Sequence, residues 1–182
     1  MQARGQLMKE HRVIERMISL IEETAGYIRK GNRIDPELVD IAVDFIRTYA
    51  DRTHHGKEED ILFKKLDEKG LSTEDRRMMD ELIADHVYAR KVVQKIEQAN
   101  ARYRNGDESA LDRIEENLRA LVDLYPEHIE KEDKVFFPAS RNYFTDREEE
   151  ALLEEFMEFD RLMIHEKYDS VVESYAKKAS SG

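Results

Sequence analysis

Between Leu7 and Ile28 the chain places Leu7, His11, Ile14, Ile18, Ile21, Ala25 and Ile28 at alternating steps of four and three residues. That spacing puts all seven on one face of a helix, and a face so marked must be buried against other helices. The rhythm returns with Met79, Leu82, His86, Ala89, Val93 and Ile96. It returns again with Leu111, Ile114, Leu118, Leu121, Tyr125, His128, Glu132 and Val135, and more loosely with Val43, Ile46, Ala50, His54, Glu58 and Ile61. Seams this long need uninterrupted helix, and the 182 residues hold only 7 Gly and 3 Pro. A many-turned β sandwich or barrel is excluded.

The few breakers mark the ends. Gly31-Asn32 stops a helix running from about Leu7 to Lys30, and Asp35-Pro36 opens a second that reaches about Leu66. Ser72 with Glu74 and Asp75 opens a third, to about Tyr103. The turn Asn105-Gly106-Asp107 precedes a fourth, from about Glu108 to Phe137, closed by Pro138. Thr145 and Glu148 form a capping box for a fifth, which carries Leu152, Phe156, Phe159 and Met163 and fades into the polar tail AKKASSG. Short loops between long helices make neighbours antiparallel. The expected fold is all-α: an up-down-up-down four-helix bundle over residues 1–140, with residues 141–182 adding a helix packed on it and a polar tail, in a single domain.

Composition narrows the chemistry. Without Cys there are no disulfides, thiolate metal sites or cysteine nucleophiles. The formal net charge of −11 disfavours nucleic acid and anionic membranes as partners. No apolar run approaches the roughly 20 residues of a membrane span. The opening MQARGQLMKEH has no apolar signal core, so the expected setting is cytoplasmic.

Four core positions that should be apolar are histidine: His11, His54, His86 and His128, one on each of the first four helices. Counted from the predicted helix ends, they fall in one layer, within about a turn of each other. Glu58 and Glu132 follow two of them by four residues and face the same way. A carboxylate buried among apolar side chains costs several kcal/mol unless it is paired or holds a metal. The segments HHGKEEDILF (54–63) and HIEKEDKVFF (128–137) also repeat one pattern on alternate helices. Four imidazoles and two carboxylates suit a pair of iron or manganese ions bridged by the carboxylates. They suit a single zinc, calcium or magnesium less well.

Over roughly Leu7 to Pro138 this pattern resembles the hemerythrin-like (HHE cation-binding) proteins, whose motif is H … H-x-x-x-E … H … H-x-x-x-E on four helices. The resemblance implies that His11 and His54 ligate one iron and His86 and His128 the other, with Glu58 and Glu132 bridging both. The implied cofactor is two carboxylate-bridged iron ions, with or without a further oxo bridge, in preference to manganese. Ferritin-like bundles instead need Glu-x-x-His, which does not occur here.

One departure matters. Oxygen-carrying hemerythrins place another histidine four residues after that of the third helix, and here that position is Arg90. Water, an exogenous ligand, His55 or His165 is left to fill it. His55 lies about 100° from His54 around a helix, which favours a neighbouring role over ligation. His165 reaches the layer only if the fifth helix packs across it. Glu132 competes with Asp133 as the second bridge. Helical phase favours Glu132, unless Pro126 kinks or bulges the helix. Tyr49, Tyr88 and Tyr125 are read as packing or hydrogen-bonding neighbours, and the charged runs EEDILFKKLDEK and DREEEALLEE as solvated faces.

The expectation is therefore a di-iron protein cycling between ferrous and ferric states that binds, senses or reacts with a small oxidant (O2, peroxide or nitric oxide). The alternative is an iron- or oxygen-responsive interaction module without catalysis, acting on a protein partner. Ligand identity, a possible peroxide or nitric oxide activity, and oligomeric state stay open at this point.

Overall fold

The computed structural model describes residues 3–179, with side chains through residue 172. Met1, Gln2 and the last three residues of the predicted tail lie outside the described residues. The described residues form five helices. The first is Ala3–Arg29, the third Thr73–Arg104 and the fifth Asp146–Ala179. The second is a continuous rod over 36–67 and the fourth another over 110–141. The first helix packs on the fourth, the fourth on the third, and the third on the second.

The predicted ends have their expected chemistry. Asp35 accepts from the Glu37 N–H at 2.9 Å, and Ser72 from the Asp75 N–H at 3.1 Å. Thr145 and Glu148 cap each other reciprocally: the Thr145 N–H donates to Glu148 at 2.9 Å and the Glu148 N–H to Thr145 Oγ1 at 3.3 Å. Gly31 ends the first helix at φ 82°, a conformation that residues with a Cβ rarely adopt.

Both rods contain wide, π-helical turns, and all of them lie beside the polar layer. In the second rod they span Ile46–His55 and Glu58–Phe63, and in the fourth Glu132–Phe136. This explains the looser second seam. Its three successive steps of four overshoot a regular turn by about 40° each, and a wider turn takes up the excess.

The wide turn of the fourth rod overturns two expectations. Val135, predicted inside, is half exposed, and Phe136 takes its place in the core, because the extra residue in the turn advances the seam by one. Pro138 does not close the helix. It sits in the first turn of the next α-helical segment, Phe137–Arg141, where a missing N–H is tolerated. The distortion lies at Glu132–Phe136 and not at Pro126, which stands inside the α-helical segment Ala110–Lys131.

The hydrophobic interior is divided in two. One cluster runs from Ile14 to Ile28 and takes in Val43, Ile46, Val93, Ile96, Ile114, Leu118 and Leu121. The other gathers Leu7, Leu62, Leu66, Met79, Leu82, Phe136 and Phe137 with Leu152 and Phe156 of the fifth helix. Each fully buried Leu, Ile or Phe contributes about 1.5–3 kcal/mol. The polar layer lies between these clusters, sealed from both ends of the bundle. The fifth helix also docks through the buried Arg4–Glu149 ion pair, which corrects the reading of DREEEALLEE as a wholly solvated run. Phe159 lies so close to Gly56 that a Cβ there would come 2.8 Å from the ring.

Candidate metal centre

All six predicted side chains meet in the polar layer. His11, His54, Glu58, His86, His128 and Glu132 are each 3% exposed or less, and their inward atoms converge. They divide into two groups: His11, His54, Glu58 and Glu132 in one, and His55, Glu58, His86 and His128 in the other, with ligand atoms in each within 4.8 Å of one another.

The carboxylates span both groups. Glu58 Oε1 lies 3.5 Å from His54 Nε2 while its Oε2 lies 3.5 Å from His86 Nε2. Glu132 Oε2 lies 3.0 Å from His11 Nε2 while its Oε1 lies 3.3 Å from His128 Nε2. Each glutamate thus turns one oxygen to each histidine group. Asp133 does not enter the centre. Its Oδ1 lies outside it, 2.7 Å from His11 Nδ1.

His55 is the addition. It was expected beside the site, yet the structure buries it and stacks its ring on His86 at 3.7 Å between centroids. Its neighbour His54 faces His11 at 4.6 Å. The wide turns on either side let two adjacent histidines address opposite halves of the layer. His165 is exposed on the fifth helix and belongs to neither group. Arg90 turns outward, to Asp51 and Glu59.

Behind every imidazole stands a carboxylate on Nδ1. Glu10 holds His54 at 2.8 Å, Glu59 holds His86 at 2.7 Å, and Asp51 and Asp85 lie 3.3 Å from His55 and His128. With Asp133 on His11, that makes one acid for each ring. Such a partner keeps the proton on Nδ1 and leaves the Nε2 lone pair facing inward, the arrangement characteristic of metal-ligating histidine. The sequence reading missed this shell. Glu59 in particular belongs to a run read as solvated, yet it reaches His86. A signal was present: Glu10, Asp85, Glu59 and Asp133 each adjoin a predicted ligand in sequence, and each serves a ligand on another helix.

Protonation within the centre is shifted in both directions. Burial, and then the neighbouring His11 and His55, hold His54 well below the usual imidazole value. Burial also lowers His55 and His86. Against burial, Glu132 and Asp85 push His128 up to about 9, and Asp133 and Glu132 raise His11. Burial and the facing Glu132 raise Glu58 well above a normal carboxyl. Glu132 is pulled well down despite burial, by His128 and His11.

Both oxygens of Glu58, both of Glu132 and Nε2 of His55 are buried without a hydrogen-bond partner. Buried carboxylate oxygens that face one another without partners are costly, and a cation satisfies them. Nitrogen and carboxylate oxygen together fit iron or manganese.

The hemerythrin HHE cation-binding domain matches residues 3–140, which includes every side chain of the layer. The chain belongs to that family. Relatives in Mycobacterium bovis and Mycobacterium tuberculosis, described as uncharacterized proteins, are 24% identical over 171 residues. The match covers 93% of this chain and 66% of theirs, so the chain spans just under two thirds of the length of these relatives. No solved structure matches. Among the described residues, no helix is long and apolar enough to cross a membrane.

Proposed function

We propose that this hemerythrin-family chain is a non-haem di-iron protein that binds, senses or reacts with a small oxidant: O2, peroxide or nitric oxide. The observation that carries the reading is the pair of glutamates, each with one oxygen toward each histidine group. The predicted ligands His11, His54, Glu58, His86, His128 and Glu132 are retained in it, and His55 is added.

The donor sets are unequal. The His11/His54 group offers two imidazoles and the His55/His86/His128 group three. His55 therefore fills the place for which Arg90 is unsuited, and the position left for a small ligand falls on the His11/His54 side. Iron held there would supply one-electron redox change toward oxygen-derived ligands or nitric oxide. The chain's own part is to orient the imidazoles through their outer carboxylates and to exclude bulk water with the two apolar clusters. In this reading residues 1–140 are the metal-binding unit, and 141–182 carry an accessory helix and a polar tail of the same domain.

A regulatory variant of this reading has one observation in its favour. Phe159 of the fifth helix presses on Gly56, the residue directly after His55 and two before Glu58. A change at those ligands is therefore felt by the fifth helix and by whatever protein it meets.

Anaerobic reconstitution with Fe(II) tests the proposal. Two irons per chain, one for each group, with new near-ultraviolet absorption on oxidation, is the expected result. Fewer than about 1.5 irons per chain, without that absorption, would overturn it.

A further inference from the structure

Arg90 stands where the oxygen carriers have a histidine, and the structure gives it two partners with one thing in common. Its Nε donates to Asp51 Oδ1 at 2.8 Å and its Nη2 to Glu59 Oε1 at 2.7 Å. The same Asp51 oxygen faces His55 Nδ1, and the same Glu59 oxygen faces His86 Nδ1. His55 and His86 are the stacked pair of the three-histidine group. One guanidinium on the third helix therefore fixes two carboxylates of the second rod, and through them two imidazoles of a single group.

We infer that Arg90 is a positioning residue for one ion of the pair: it locks the orientation of His55 and His86 and so makes His55 a ligand in place of the missing histidine. The inference rests on the two-ion reading above. Physical chemistry supports the assignment. A planar guanidinium can bond two carboxylates at once in a fixed fork, whereas an ammonium offers a point charge with no preferred plane. The His11/His54 group has no such clamp. Its outer acids, Asp133 and Glu10, bind different cations, Arg12 and Lys57. Arg90 is also one of the side chains lining a cavity of about 210 Å³ between the second, third and fourth helices, together with Asp51, Arg47 and Tyr125. Arg47 borders the same cavity but pairs with Glu97, which touches no histidine, and so serves as the control.

The test loads wild type, Arg90→Gln, Arg90→Lys and Arg47→Gln with Fe(II) anaerobically and follows iron loss to a chromogenic chelator. Thermal midpoints of the metal-free proteins are measured alongside. Arg90→Gln should release one of its two ions about 10 times faster than wild type while the other keeps its rate, the low end of what removing a group in contact with the ligand does, since Arg90 acts one contact further out. Arg90→Lys should fall between, Arg47→Gln should match wild type, and the metal-free midpoints should agree. Unchanged release from Arg90→Gln, acceleration of both ions alike, or equal effects of Arg47→Gln and Arg90→Gln would overturn the assignment. A wild type that takes up no iron would instead overturn the two-ion centre, so the two failures are told apart.

Discussion

Replacing Glu58 by methionine should move the stability of the metal-free and the iron-loaded protein in opposite directions. Glu58 is fully buried, neither of its oxygens has a hydrogen-bond partner, and burial together with Glu132 drives its pKa well up. Without a cation that group is a liability of about 1–3 kcal/mol, the usual cost of a buried polar group left unsatisfied. Methionine has nearly the same length, fills irregular space, and has a soft thioether with little affinity for iron. At about 2–4 °C per kcal/mol for a chain of this size, the metal-free midpoint should rise by roughly 2–12 °C. In the loaded protein the same change removes one of the two carboxylates that span both groups. Each ion present at 100 times its Kd contributes about 2.7 kcal/mol, so losing both outweighs the gain and the midpoint falls. Scanning calorimetry in chelator and after Fe(II) loading, with iron counted per chain, gives both values. A lower midpoint in chelator, or two irons retained by Glu58→Met, would refute the reasoning.

Two further results follow from the fold. Lys57 is wholly buried between Glu10 and Asp160, so Lys57→Met leaves the Glu10 carboxylate with His54 Nδ1 but without its counter-charge and should cost about 3–5 kcal/mol in urea unfolding, with part recovered in Lys57→Met/Glu10→Gln. The Glu148 carboxylate, held by Lys69 and the Thr145 N–H, is pulled down to about 2. Its contribution to the start of the fifth helix is therefore complete above about pH 4.5 and lost as the pH falls through about 2. A carbon-13 titration of that carboxyl should show the low midpoint, moving upward in Lys69→Met.

Four helices and six inward residues were legible because both rest on periodicity. His11 and His86 sit on seams that are otherwise apolar, and Glu58 and Glu132 follow a seam histidine by about one turn. What escaped was whatever depends on a departure from that period or on a contact between helices. His55 could not be placed from a regular helix, which sets it about 100° from His54. Only the wide turns of the second rod make room for both. Val135 was misplaced for the same reason, since one extra residue in Glu132–Phe136 hands its position to Phe136. The outer acids escaped for the other reason. Glu10 adjoins His11 in sequence but serves His54, and Asp85 adjoins His86 but serves His128. Linear proximity names the wrong partner in each case.

The π-helical stretch Ile46–His55 has a bearing on how a centre of this kind is won or lost. A wide turn stores one residue of slack in an otherwise taut rod. Deleting a single amino acid there lets the rod rewind to regular α-helix with both ends still anchored, whereas the same deletion in the first helix would drag half of its buried face into water. Only residues inside the rewound stretch, His54 and His55 among them, would take a new bearing while the scaffold stood. Length change, more than substitution, is thus the cheap lever on what these helices hold between them.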